Sequence, residues 1–259
     1  MEDAQKTISP VLEAPSEFGV LHWTGVKLHG WLKEHRGLDI SYRTTLRYLH
    51  DLDFRRLFPR PVPAPPDTDK WEQARDAFAP KLFALLDDPA AHVFFSDEAG
   101  FEGDPRPRQR WVKRGSKPVS GYAGGHLRTN VVGAISPESG QLVSLVVPFC
   151  NTAVFQMFLD TFAREVPFEP GRKTYLVLDN ASWHKSASLQ WHHIEPVYLP
   201  PYSPDMNVIE RLWAYLKSHG MAGFFTSDAN DLDEKLCEEI KLLLEDRKTL
   251  KSVCSKNIG

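Results

Sequence analysis

The sequence predicts an α/β domain preceded by a small all-α domain, and three observations carry that expectation. Up to about position 50, and again between about 70 and 87, apolar residues recur at helical spacing. From His92 onward they come instead as short runs separated by turn residues, the pattern of strands. Between the two regimes lies Pro59-Arg-Pro-Val-Pro-Ala-Pro-Pro66, whose prolines remove backbone donors and suit neither a helix interior nor a central strand. The reading is therefore a partial helix-turn-helix domain over residues 1–58, a linker over 59–68 and a catalytic domain over 69–259.

In chain order, the first predicted helix runs from Trp23 to about Arg36, with Thr24 as N-cap and Leu28, Trp31, Leu32 and His35 on one side. Gly37 ends it. Ser41 then caps a second helix in which Leu46 and Leu49 point inward while Arg43 and Arg47, four apart, share the other face. Two readings stay open on this pattern. One is a helix-turn-helix whose second helix enters the major groove with its arginines at phosphates or bases; the other is a helical hairpin with a solvated basic face. A third helix is predicted from about Lys70 to Asp87, with Trp71, Ala74, Phe78, Leu82 and Leu85 as its apolar stripe and Pro80 as a point where it kinks or splits.

Strands are predicted at His92–Asp97, Arg108–Arg114, Asn130–Ile135, Leu142–Phe149, Tyr175–Asp179 and Ile194–Leu199. Ser136-Pro-Glu-Ser-Gly140 makes the third and fourth of these an antiparallel hairpin. Phe155, Phe158, Leu159 and Phe162 mark a helix between strands, and two more helices are predicted at Pro204–Ser218 and from Leu232 to roughly Leu250.

Composition narrows the class. Hydrophobic residues at 42% and charged residues at 25% exclude a fibrous or largely disordered chain. The formal charge of -3 hides an uneven distribution, basic from Arg43 to Arg60 and from Arg106 to Lys117, acidic from Asp228 to Asp246. Cys150, Cys237 and Cys254 are odd in number and widely spaced, which supports neither a disulfide framework nor a structural zinc site. With no signal pattern at the start and no apolar run of about 20 residues, a soluble cytoplasmic protein is expected.

Chemistry points to three acids. Asp97 and Asp179 each close an apolar strand candidate, where ligands of open α/β sheets bind. Glu210 lies in a helix after an aromatic, proline-rich turn. Carboxylates converging from two strands and a helix suit a hard divalent cation that keeps sites for water and phosphate. Taken singly, each acid is better read as a loop cap or, for Glu210, as the partner of a neighbour such as Arg211 or Lys217. Strand alternation turns Glu98 away from Asp97, so a surface role is expected for it. His192 and His193 lack ligating companions, so packing or exposure is expected for them.

The surroundings of the three acids are denser than that. Asp97 sits in Ser-Asp-Glu-Ala-Gly-Phe, Asp179 in Leu-Asp-Asn-Ala-Ser-Trp-His, and Glu210 in Leu-Pro-Pro-Tyr-Ser-Pro-Asp-Met-Asn-Val-Ile-Glu-Arg-Leu-Trp-Ala-Tyr-Leu-Lys. At these residues the chain resembles the mariner superfamily of DDE transposases, in particular its bacterial insertion-sequence branch (insertion-sequence-630 type), from about Phe94 to Lys217. The resemblance implies a ribonuclease-H-like mixed sheet flanked by helices, with Asp97, Asp179 and Glu210 as catalytic acids. It implies two Mg²⁺ ions per site, replaceable by Mn²⁺, which activate the attacking oxygen and offset charge on the leaving one. Asn180, His184 and Asn207 match the motifs and are expected to support the acids. Arg110, Lys113 and Arg114 lie in a matching segment and are expected, with Arg43 and Arg47, to meet DNA; Trp111 beside them is read as hairpin packing.

The implied partners are double-stranded DNA bearing terminal inverted repeats, a TA target, a second copy of the chain, and no membrane; the implied location is the bacterial nucleoid. Two departures stand out. Asp179 and Glu210 are 31 positions apart, closer than in several eukaryotic relatives, and only one helix-turn-helix fits before Pro59 where the superfamily usually has two. A separately encoded helix-turn-helix protein would supply the other. Competing readings are a truncated or domesticated DNA-binding protein with an inert core, and a ribonuclease or junction nuclease on the same fold.

Overall fold

The computed structural model describes residues 2–20, 22–56, 65–104 and 127–255, together with 115, 117, 119, 121, 122, 124 and 125. The chain divides into two compact units, Met1–Val62 and Pro63–Gly259. The predicted strand Arg108–Arg114, with Arg110, Trp111, Lys113 and Arg114, and most of the predicted linker lie outside the described residues.

Helices α1 (Glu2–Glu13), α2 (Gly25–Arg36) and α3 (Tyr42–Asp51) form the first unit. Both caps read from the sequence are made. Thr24 Oγ1 accepts the Lys27 N–H at 3.2 Å, and Ser41 Oγ accepts that of Thr44 at 3.1 Å. Gly37 ends α2 at φ 61°, a left-handed conformation that glycine adopts without steric cost. The sequence had offered no helix before Trp23, because a polar start and Pro10 conceal α1. Ile8 and Val11, three apart, are nonetheless buried against Leu28 and Leu32, while Pro10 is exposed. In α3 the buried residue is Thr45 rather than Leu46, with Tyr48 and Leu49 packing beside it. The Thr45 hydroxyl stands 3.2 Å from His29 Nδ1, so the buried polar group is satisfied.

The second unit opens with α4 (Thr68–Asp87), one continuous helix through Pro80, which is exposed. Its apolar stripe differs from the expected one: Ala74 is exposed, and Leu82 and Leu86 are the buried positions. Five strands follow, β1 (Ala91–Glu102), β2 (Arg128–Ile135), β3 (Leu142–Val147), β4 (Lys173–Leu178) and β5 (Ile194–Tyr198), with α5 (Thr152–Glu165) between β3 and β4. They form one mixed sheet in the order β3-β2-β1-β4-β5. β1, β2 and β3 pair antiparallel, and β1, β4 and β5 pair parallel.

Alternation along β1 assigns its two faces. Val93, Phe95, Ala99 and Phe101 enter one core with α6 (Ile209–Ser218), α7 (Ala229–Glu245) and α8 (Arg247–Val253). Phe94 enters the other, against Phe155, Phe158, Leu159 and Phe162 of α5. Phe94 and Phe162 meet edge to face at 4.8 Å, and truncating either to alanine is expected to cost about 3–5 kcal/mol.

Two expected helices are each broken. Pro204–Met206 forms a separate short 3₁₀ turn before α6. The predicted C-terminal helix is interrupted at Asp246, whose φ of -107° and ψ of 67° leave the helical region and whose carboxylate accepts the Thr249 N–H at 3.0 Å to start α8. Among the described residues no helix is long and apolar enough to cross a membrane.

Candidate active site

Asp97 does not close its strand, as the sequence reading had it. β1 continues five residues further because β2 continues to pair with it, with Asp97 opposite Gly133 and Glu102 opposite Arg128. What stops near Asp97 is the parallel ladder to β4, whose last register pair is Phe95 with Val177. Asp179 follows directly on β4, so the same register carried two residues further sets Asp97 beside Asp179 on one face of the sheet. Strands that have just parted leave room between such neighbours for a ligand.

Glu210 comes from α6 on that face. Gly133, opposite Asp97, lets the helix approach: a Cβ there would stand 2.8 Å from the Trp213 ring. Trp213 lies three residues after Glu210, on the same side of the helix. Asn207, just before α6, donates from Nδ2 to the Ser96 carbonyl at 2.9 Å, and Ser96 Oγ donates to the Gly133 carbonyl at 2.9 Å. These contacts tie the helix entrance to the strand that bears Asp97. Asn207 Oδ1 remains buried without a hydrogen-bond partner.

The electrostatics follow. The carboxyls of Asp97 and Glu210 come close enough to act on one another. Burial, reinforced by the charges of Glu210, Glu98 and Asp179, pushes Asp97 well above the usual carboxylate range. Burial also raises Glu210, against the opposing charge of Lys217. Asp179 goes the other way. A hydrogen bond from His184 is the main cause of its lowered pKa, and the Ala181 N–H, donated at 3.0 Å, adds to it.

His184 is buried and joins two acids, with Nδ1 2.9 Å from Asp179 and Nε2 2.9 Å from Glu98. Burial pulls its pKa down, but the two carboxylates outweigh that and hold it at about 9. The imidazole is therefore charged at neutral pH and donates from both nitrogens. The Phe155 ring packs on it at 4.3 Å, and Tyr198 Oη donates to its carbonyl at 2.8 Å.

Glu98 corrects an expectation. It does turn away from Asp97, yet the face it turns to is occupied by protein rather than water. Its side chain is 14% exposed and accepts from both His184 and Trp183, the latter at 3.2 Å. No sequence signal marks it beyond its place next to Asp97, because its partners lie 85 and 86 positions away.

Asn180 donates from Nδ2 to the Leu199 carbonyl, joining the ends of β4 and β5. The loop from Leu199 to Asp205 is clasped by α4. Arg75 makes a two-pronged ion pair with Asp205 and lies over the Trp71 ring at 4.8 Å, while Trp71 Nε1 donates to the Tyr202 carbonyl at 3.2 Å. His192 pairs with Asp160 at 2.8 Å and His193 with the Val166 carbonyl at 2.7 Å, both away from the acids. Arg43 and Arg47 are exposed on α3 in the first unit. Among the described residues no group of three His, Cys, Asp or Glu side chains is already arranged as a metal cage.

Residues 92–233 match the family described as DDE superfamily endonuclease, and residues 19–77 the family described as winged helix-turn helix. The uncharacterized protein y4pE/y4sA of Sinorhizobium fredii (strain NBRC 101917 / NGR234) is 31% identical over 108 residues, 41% of this chain and 78% of that protein. The insertion element IS630 uncharacterized 39 kDa protein of Shigella sonnei is 26% identical over 217 residues, covering 80% of this chain but 61% of that protein's length. Among solved structures, the Mos1 mariner paired end complex with Mn is similar at a TM-score of 0.61 and 17% identity, over 91% of this chain and 78% of that one. The Mos1 transposase paired-end complex with left transposon end gives 0.59 and 16%, over 92% and 80%. At such identity the likeness is one of fold, a ribonuclease-H-like mixed sheet flanked by helices and preceded by a winged helix-turn-helix domain.

Proposed function

The chain belongs to the DDE superfamily of endonucleases, and from that premise we propose that it is a DNA transposase that cuts and rejoins DNA at Asp97, Asp179 and Glu210. The observation that carries the reading is the meeting of three carboxyls on one face of the sheet, Asp97 from β1, Asp179 from the end of β4 and Glu210 from α6. All the donors are hard oxygens, the set that suits Mg²⁺ or Mn²⁺ and not a thiolate-seeking metal. Two such ions per site, when bound, activate the attacking oxygen and stabilise the leaving 3'-oxygen of a phosphodiester.

The chain's own residues do the rest. Asp179 stays ionised because His184 donates to it, so one ligand is ready at neutral pH. His184 uses its second N–H on Glu98, which fixes the imidazole and leaves it no free nitrogen with which to take a proton from water. Asn207 bonded to β1 and Trp213 against Gly133 of β2 hold α6 on the sheet, so Glu210 is placed by the fold rather than by a mobile loop.

On this proposal residues 1–58 are a helix-turn-helix domain that reads transposon ends with Arg43 and Arg47, residues 59–68 a linker, and residues 69–259 the nuclease. Two copies act on paired ends, Arg110, Lys113 and Arg114 contribute DNA contacts, and TA is the target. The test is Mg²⁺- or Mn²⁺-dependent nicking of DNA carrying the element's terminal repeats. Activity that survives Asp97→Ala, Asp179→Ala and Glu210→Ala alike would sink the assignment. Specific binding without cleavage would instead mark the core as inert.

A further inference from the structure

On the face of β1 opposite Asp97, one guanidinium is held in a manner that the site described above does not use. Arg128 opens β2 and is exposed. Its side chain lies flat over Gly100. A Cβ built at Gly100 would fall 2.2 Å from both Nε and one terminal nitrogen of Arg128, and 2.3 Å from Cζ, so only a residue without a side chain leaves this place open. Arg128 Nε donates to Asn130 Oδ1 at 3.2 Å. Asn130 is in turn oriented by its own Nδ2, which donates to the Pro148 carbonyl at 3.0 Å.

Two features separate this arrangement from an ordinary surface arginine. The holding group is a neutral amide, which orients the fork without itself cancelling the charge. Among the described residues no carboxylate lies within ion-pair distance of it. Glu102, opposite in register, does not pair with it, and Glu98 on the same face is engaged by His184 and Trp183. A long side chain held in one rotamer by a neighbour loses less entropy when it meets a partner. The remaining N–H groups match a tetrahedral oxyanion that can accept from a planar fork.

Position indicates which oxyanion. Gly100 is three residues beyond Asp97 on the same strand, roughly 10 Å away. Between β1 and β2 the chain runs through a segment with Arg106, Arg108, Arg110, Lys113, Arg114 and Lys117. We propose that Arg128, cradled on Gly100 and aimed by Asn130, is a backbone-phosphate clamp for the DNA strand handled at the acid site. The proposal rests on the reading of this chain as a DNA-acting enzyme. A clamp of this kind carries no base information; it sets the register of the strand relative to Asp97.

The experiment measures binding of the full chain to a fluorescein-labelled DNA duplex by anisotropy, across a salt series and without divalent metal so that the strands stay intact. Arg128→Ala is expected to weaken binding about tenfold and to reduce the slope of log K against log salt by about one, the signature of a single lost phosphate contact. Gly100→Ala separates cradle from charge, because it keeps the arginine and displaces only the far end of a flexible side chain. It is expected to match Arg128→Ala, with the double variant no weaker than either, and Arg128→Lys is expected to fall between these and the parent. Unchanged affinity and slope in Arg128→Ala, with the parent chain binding normally, overturns the clamp. Weakening in Arg128→Ala but not in Gly100→Ala overturns the cradle and leaves a general charge effect. A parent chain that binds no DNA overturns the DNA-acting reading, and the clamp with it.

Discussion

Asp97 faces Glu210 directly, whereas Asp179 meets Glu98 through the charged imidazole of His184. The two pairs are neighbours built from like parts, and they differ in whether the chain supplies a cation. Around His184 one positive charge lies between two carboxylates, which is why Asp179 stays ionised and the imidazole is held at about 9. Around Asp97 burial and the neighbouring acids act together, while Lys217 acts in the other direction on Glu210. The difference separates a half-site that is complete in the folded chain from one that asks for a ligand.

Removing the unbalanced half should have the largest effect. Asp97→Ala or Glu210→Ala is expected to lower metal-dependent nicking at least about a thousandfold, since several kcal/mol of transition-state stabilisation go with the cation. Comparable activity in Glu98→Ala and Asp97→Ala would erase the distinction between the halves.

Breaking the balanced half should cost less. His184→Ala leaves Asp179 and Glu98 facing each other without a cation, and metal affinity measured by calorimetry is expected to fall about 10- to 100-fold. His184→Gln, which can still donate one hydrogen bond, should recover part of it. No change in metal affinity in either variant would make His184 a packing residue.

A third prediction concerns stability in the presence of a chelator. The folded pKa of Asp97 is raised, so its favourable contribution is present at low pH and is lost as pH rises through the folded value. Above the ordinary carboxylate range this buried carboxyl therefore weakens the folded state. Asp97→Asn is expected to raise the melting temperature of the metal-free chain by about 2–4 °C, corresponding to about 1 kcal/mol, while abolishing cleavage. A lower melting temperature at pH 7 would contradict the charge picture.

The smallest effect belongs to the clasp outside the acids. Asp205 is depressed by its bond to Arg75, so that pair stabilises above the unfolded carboxylate value and its contribution is lost as pH falls through the lower folded value. Both side chains are partly solvated, and Arg75→Ala should cost less than about 1 kcal/mol, shrinking further in acid. Urea unfolding at neutral and acid pH measures both.

Much of this molecule was legible along the chain because its signals are local. The caps at Thr24 and Ser41, the phenylalanines of α5 and the Ser136–Gly140 turn each depend on residues within a few positions of one another, and each appears where it was expected. The misreadings have the opposite origin. α1 is hidden because two buried residues hold it against another helix, and Asp97 looks like a strand end because the continued pairing depends on β2, from Glu98 with Val132 to Glu102 with Arg128. Glu98 was assigned to the surface because alternation states which way a side chain turns and not what waits there.

The sequence by itself determined the α/β class, the order of most elements and the three motifs that carry Asp97, Asp179 and Glu210, since periodicity and motif are properties of neighbours along the chain. Only the tertiary structure decided which acids are matched with a cation and which are left facing each other. Charge balance in a folded protein is set by distances through space and by exclusion of water, and His184 reaches both Asp179 and Glu98 only because β1, β4 and α5 are packed together.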